Sequence, residues 1–157
     1  MSSRPPGAVI IDGSVAIAIS AREAHREQKA NAELLRYSTA GYAFYALGAI
    51  VAETLYVLCG KVHNGLLTPA EHAQSVLDFE ILMAKILPPP GGEASIVARA
   101  EAIRSGYGCS RSADGIYIAL AEVLAASVPA VIVTFDQEMH KQVARHAPTV
   151  TVQLLTT

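Results

Sequence analysis

Two short runs of apolar residues set the pattern of the chain: AVII at 8–11 and AVIVT at 130–134. Neither alternates with polar residues. A strand with one wet face alternates, whereas a strand covered on both faces reads as a continuous apolar run. Each run ends close to an acid, Asp12 directly and Asp136 two positions after Thr134. After a turn at Gly13 and Ser14, residues 15–20 can start a helix. Residues 23–37 are rich in Ala, Leu, Glu, Lys and Arg and predict a stronger one. Gly41 breaks the chain. Residues 43–46 predict a second strand, and 50–62 a helix that carries Glu53. Thr68 reads as an N-cap with Pro69 at the first helical position and Glu71 three residues on, so a helix runs from there to about 85. Residues 86–87 predict a short strand and the run PPPGG at 88–92 a loop. A helix over 93–104 is broken by glycines at 106 and 108. Ser110 or Ser112 caps the next helix, which carries Asp114 to about 126. A helix over 137–145 and an edge strand over 150–154 close the chain.

Strands alternate with helices, and the strands are apolar throughout. This predicts an α/β fold: a three-layer α/β/α sandwich with a mainly parallel sheet of four or five strands. The 157 residues suit a single domain, 1–157, with residues 1–7 as a flexible lead-in. No repeat, linker or low-complexity segment interrupts it.

Composition sharpens this picture. Hydrophobic residues make up 52% and charged residues 17%. That excess predicts either a sheet covered on both faces or apolar surface that meets a partner, and a homodimer is the expected form. The formal charge of −2 excludes an evenly basic nucleic-acid coat, so any such binding relies on a local patch or on bound cations. Cys59 and Cys109 form neither a CxxC pair nor a disulfide framework, and the N-terminal MSSRPPG has no apolar signal core. A reducing, cytoplasmic setting is the expectation. The apolar stretches 40–59 and 116–135 resemble membrane spans in length, but each holds a glutamate, Glu53 or Glu122, and glycines or Pro129 interrupt them. Buried strand–helix units account for both.

The chain has only four aspartates, Asp12, Asp78, Asp114 and Asp136. Ligands of open α/β sheets bind beyond the C-terminal ends of the strands. If the strands before Asp12 and Asp136 are neighbours, both carboxylates face one crevice. Asp114 and Glu53 sit near the starts of helices that begin at the same edge. Clustered carboxylates repel and hold protons, and a hard divalent cation relieves that repulsion. Such a site can orient a water and neutralise a phosphodiester. Each acid alone also reads as an ordinary turn or cap residue; the chemistry lies in the set. Glu138 is a candidate fifth acid that reads equally as a complement to a helix dipole, and Asp78 reads as a solvated mid-helix residue.

Other chemistries lack their residues. The five histidines include no HExxH pair, no GxSxG is present, and the glycines around 106 lack a dinucleotide fingerprint. A dehalogenase-type phosphatase needs a second Asp two residues after the first, where Ser14 stands. Arg22, Arg26, Lys29 and Arg36 share one face at about 100° per residue and offer a groove edge for RNA phosphates, with Glu33 in the same stripe. Arg111 is a second basic candidate.

Four blocks resemble the PIN-domain family in the family's order: IIDGSVAIAI, AIVAETLYVL, SRSADGIYIALAE and VIVTFDQEM. The nearest similarity is to VapC-like toxin ribonucleases of type II toxin–antitoxin pairs. The resemblance implies that Asp12, Glu53, Asp114 and Asp136 form an acidic Mg2+ or Mn2+ site. It implies that Ser14 and Thr134 supply supporting hydroxyls, and that the activity is endoribonucleolytic hydrolysis of RNA. It also implies a homodimer and an antitoxin partner. The alternatives are a PIN-fold protein that processes RNA without an antitoxin, or a non-catalytic binding module. Gly13 departs from the Thr or other small residue usual at its place, and the stretch 63–92 is longer than in compact toxins.

Overall fold

The computed structural model describes residues 3–106 and 113–156. Its centre is strand β1 (Ala8–Ile11), buried at every position. β1 pairs in parallel with β2 (Ala43–Tyr45) on one side and with β4 (Ala130–Thr134) on the other, in the registers Ala8 opposite Ala43 and Ala8 opposite Ala130. β3 (Ile86–Leu87) extends the sheet beyond β2, and β5 (Thr151–Leu154) beyond β4. The sheet is therefore all parallel, in the order β3-β2-β1-β4-β5. The five strands and the edge position of the last match the expectation from sequence.

Side chains alternate across the sheet and build two cores. Ala8, Ile10, Ala130 and Ile132 pack on one face with α5 (Val97–Ser105), α6 (Asp114–Ala125) and α7 (Gln137–His146). Val9, Ile11, Val131 and Val133 pack on the other with α1 (Gly13–Ser20), α2 (Ala24–Thr39) and α4 (Pro69–Met83). Both faces are covered, which is why the strand sequences do not alternate. Burying each isoleucine or valine contributes about 1.5–3 kcal/mol. Helix α3 (Ala49–His63) follows β2 and buries Ile50, Thr54 and Leu58.

Local chemistry sets the element ends. Thr68 caps α4 through a complete capping box: its hydroxyl accepts from the Glu71 N–H at 3.1 Å, and Glu71 accepts from the Thr68 N–H at 2.9 Å. The helix expected at 93–104 begins instead as a 3-10 turn, Glu93–Ile96, before α5. Gly13 and Ser14, expected as a turn, form the first helical turn of α1, because the Asp12 carboxylate caps them. The expected caps at Ser110 and Ser112 lie outside the described residues. Among residues 3–7, Arg4 donates to the Ser127 carbonyl at 3.2 Å, and a side chain at Gly7 would strike the Tyr42 ring.

The chain runs from β1 outward to β2 and β3, then returns to β4 on the opposite side of β1. The direction of winding thus reverses between β1 and β4, and their C-terminal ends open a crevice there.

Candidate active site

Asp12 is the first residue after β1, with extended backbone (φ −104°, ψ −179°). It is 5% exposed, yet both carboxylate oxygens are served. Oδ1 accepts from the Ser14 hydroxyl at 2.5 Å and the Val15 N–H at 3.3 Å, and Oδ2 accepts from the Thr134 hydroxyl at 2.5 Å. The two hydroxyls also reach the exit of β4. Thr134 Oγ1 accepts from the Asp136 N–H at 2.9 Å, and Ser14 Oγ accepts from the Phe135 N–H at 3.1 Å. Ser14 and Thr134 thus stitch the ends of β1 and β4 together through Asp12. Burial holds the Asp12 carboxyl above its ordinary range; the Ser14, Thr134 and Val15 donors pull it down in part, and the charge of Asp136 adds to the rise.

Asp136 caps α7, accepting from the Glu138 N–H at 2.8 Å. Glu138 itself turns away and pairs with Lys141 at 2.9 Å while 63% exposed, so it is not part of the cluster. Asp114 opens α6, is nearly buried, and accepts from Gln142 Nε2 on α7 at 3.3 Å.

Glu53 lies in the second turn of α3. Burial first, then the charges of Asp12 and Asp114, push its carboxyl above the ordinary range. Its close approach depends on Gly13: a Cβ there would collide with Glu53 Oε2 and meet its Cβ and Cδ at 3.4 Å. The residue that departs from the family pattern is therefore the one that leaves room for Glu53. The head of α3 is held in turn by Glu93, whose carboxylate accepts the Gly48 N–H.

The four acids form one electrostatic series, Asp136 to Asp12 to Glu53 to Asp114. Among the described residues, no three His, Cys, Asp or Glu side chains stand close enough to cage a cation directly. The donor set still fits a hydrated magnesium or manganese ion. All its ligands are hard oxygens, charge repulsion is stored in it, and magnesium keeps several waters between itself and a few carboxylates.

The basic stripe is rearranged. Arg22 lies outside α2, in a left-handed turn (φ 52°), and pairs with Asp78 at 3.0 Å. Asp78 is accordingly not a solvated residue; it also accepts from Gln74 at 2.9 Å. Arg26 sits 5.1 Å over the Phe135 ring, beside Asp136, and Lys29 donates to the Thr156 carbonyl. Arg36 pairs with Glu33 at 2.8 Å. Arg111 lies outside the described residues. Gln142 and Glu93 escaped the sequence reading. Gln142 was findable as the one polar residue on the buried stripe of α7, between Met139 and Val143.

The sequence model of the PIN-domain family matches residues 9–145. No curated protein matches the chain. Among solved structures the chain is similar to one in the crystal structure of VapBC2 from Rickettsia felis bound to a DNA fragment from their promoter, with a TM-score of 0.62 and 12% identity, covering 95% of this chain and 99% of that one. A Pyrobaculum aerophilum protein gives a TM-score of 0.55 at 16% identity, over 87% of this chain and 86% of that one. FitAcB from Neisseria gonorrhoeae gives 0.50 at 20%, over 92% and 95%. At these identities the likeness is one of fold.

Proposed function

The chain belongs to the PIN-domain family, and from that premise we propose that it is a divalent-metal-dependent endoribonuclease acting through Asp12, Glu53, Asp114 and Asp136. The observation that carries this reading is the series of repelling carboxylates at the crevice between the ends of β1 and β4. A bound Mg2+ or Mn2+ would neutralise phosphate charge and lower the pKa of an attacking water. The protein's part is to hold ionised oxygens in place. Asp12 is fixed at both oxygens and offers its remaining lone pairs to the crevice. Gln142 orients Asp114, and Gly13 lets Glu53 approach. Arg26 and Lys29 flank the same end of the sheet and would draw the RNA backbone toward it.

We further assign the toxin role in a toxin–antitoxin pair, supported by the resemblance to VapC-like toxins and by the fold likeness to VapBC2 and FitAcB. A groove of about 910 Å3 between α2 and α4, with Leu34, Leu35, Phe44, Ile81 and Leu82 on its walls and Glu27, Asp78 and Lys85 at its polar part, would seat an antitoxin chain on this reading. Among the described residues no helix is long and apolar enough to cross a membrane, and the reading places the protein with cytoplasmic RNA. For the homodimer, α3 presents Val51, Leu55 and Tyr56, the last 81% exposed. Tyr56→Glu should therefore shift the protein to monomer in sedimentation equilibrium, and an unchanged dimer would rule out this face.

The test is cleavage of a labelled RNA by the purified full chain. Cleavage should require Mg2+ or Mn2+, vanish with EDTA, leave 5′-phosphates, and disappear in Asp12→Ala and Asp136→Ala. Cleavage without metal, or cleavage that survives both substitutions, would sink the mechanism. A chain that binds RNA or partner but never cleaves would be a binding module.

A further inference from the structure

Phe135 stands between Thr134 and Asp136, where β4 runs out beside the acids. Its N–H donates to Ser14 Oγ at 3.1 Å, and that hydroxyl donates to Asp12 at 2.5 Å, so the residue is anchored to the framework of the site. The ring packs against the core on the α1 side of the sheet yet stays only half-buried. Arg26, in the first turn of α2, lies over it, with the guanidinium carbon 5.1 Å from the ring centroid. The Arg26 side chain is 44% exposed. Arg22, Arg36 and Arg99 each grip a carboxylate, at 3.0, 2.8 and 2.6 Å. The ion pair of Arg26 is a long one, 4.0 Å to Glu23, which also serves Lys61 at 3.5 Å. The guanidinium therefore rests on a ring rather than in a short ion pair, and much of it meets solvent. The turn that puts it there is strained. Arg22 and Ala24 have φ values of 52° and 32°, a region that L residues rarely adopt. Such strain persists only where the surroundings enforce it, and it collects at ligand clamps. Here Asp78 holds Arg22, and Lys61 holds Glu23.

We propose that Arg26 and Phe135 form a base-stacking subsite, in which one nucleobase of a single-stranded RNA lies on the guanidinium and the ring backs the guanidinium from beneath. This rests on the ribonuclease reading above and adds to it a contact to a base, where the charge of Arg26 alone would serve only phosphates. Single-stranded RNA is held by bases stacked on aromatic rings and on arginine planes. A guanidinium already seated on a ring offers such a plane without further ordering, since Phe135 and the turn at 22–24 fix it in advance. Phe135 is the residue next to Asp136, so the base it supports belongs to a nucleotide flanking the bond to be cut. Stacking reads area rather than base edges, so the subsite should accept every base and favour the larger purines.

The test uses the full chain and a labelled single-stranded RNA that wild type cuts at one bond. The bases flanking that bond are replaced, one at a time, by a stable abasic residue, and kcat/KM is measured for each RNA. At one flanking position the loss of the base should lower wild-type kcat/KM at least about fivefold, the lower end of what one stacked base contributes. Arg26→Lys keeps the charge but offers no plane. It should cleave the intact RNA more slowly and tell intact from abasic RNA by less than about twofold, because the stack it would lose is already gone. Phe135→Leu keeps an apolar side chain without a ring and should narrow the same ratio. Arg26→Lys that loses equally on intact and abasic RNA overturns the proposal, since the arginine then serves the fold or the phosphates. Should Phe135→Leu fail to fold, wild type and Arg26→Lys decide. Wild type that cuts abasic RNA as well as intact RNA at both flanking positions overturns the proposal and leaves the nuclease reading standing. Wild type that cuts no RNA overturns both.

Discussion

Glu53 shows how the site works at the scale of one residue. Burial first, then the charges of Asp12 and Asp114, hold its carboxyl above the ordinary value of 4.5, and among the described residues no hydrogen bond offsets them. Removing the charge should relieve the metal-free protein. Glu53→Gln is expected to raise the metal-free melting temperature by about 1–3 °C while abolishing Mn2+ binding and cleavage. Differential scanning fluorimetry with and without Mn2+ reads both effects, and a large loss of stability would instead make Glu53 a structural residue. Gly13 gives the converse experiment. It stands at the first helical position with φ outside the left-handed region, so alanine suits the backbone and the helix. The added Cβ would collide with Glu53 Oε2. Gly13→Ala should therefore keep the fold and weaken Mn2+ binding by about tenfold or more, on the scale of lost metal-site support. Unchanged metal affinity would show that Glu53 moves aside at no cost. The sequence flagged Gly13 as a turn residue and as a departure from a family pattern; its contact with Glu53 is a distance between α1 and α3 that no spacing along the chain reveals.

Elements bring the acids together, and here much was legible. The continuous apolar runs at 8–11 and 130–134 announced buried parallel strands, and the acids that follow them pointed to one edge. What stayed open was whether the two strands are neighbours. The reversal of winding at β1 makes them so, and Ser14 and Thr134 tie the junction. Helix ends were less legible, because a cap depends on where a side chain turns. Asp12 converts an expected turn into the start of α1, and the glycines before residue 93 deliver a 3-10 turn where a helix was expected. The basic stripe failed for a similar reason. It assumed that Arg22 belongs to α2, whereas the break at residues 22–24 sends it to Asp78. The structure keeps Arg26 and Lys29 as the pair near the site. If they steer RNA, Arg26→Gln with Lys29→Gln should flatten the slope of log binding constant against log salt by about 1–1.5. Hydrolysis of a minimal phosphodiester should be nearly unaffected. Equal loss on both substrates would assign the pair to the fold, Arg26 through Phe135 and Lys29 through the Thr156 carbonyl.

For the molecule as a whole, the proposed metal site would couple pH, metal and stability. Asp12 and Glu53 have folded-state pKa values raised above 3.8 and 4.5. Well below those values both states are protonated, and the two groups contribute nothing. As pH rises past them the unfolded chain ionises first while the native site still holds its protons, so native stability falls through the window up to the raised values. Above that window the penalty is constant. The metal-free protein should therefore melt higher at mildly acid pH than at neutral pH, so far as these two groups decide it. Glu53→Gln should reduce the difference. On the metal-dependent reading, cations should reverse the trend, because they would bind the ionised site of the native state alone. At a hundredfold excess over the dissociation constant the gain is about 2.7 kcal/mol, or about 5–10 °C for a domain of this length. Protons compete for the same oxygens, so that gain should shrink as pH falls from 7.5 toward 5. The two melting curves, with and without Mn2+, should thus converge on the acid side and diverge at neutral pH. Calcium should stabilise the protein yet support little cleavage, since its larger and looser shell positions the attacking water poorly. Melting measured at several pH values, with EDTA, Ca2+ or Mn2+, checks the whole coupling in one series. Parallel curves at every pH would mean that the cation is held by groups other than these carboxylates.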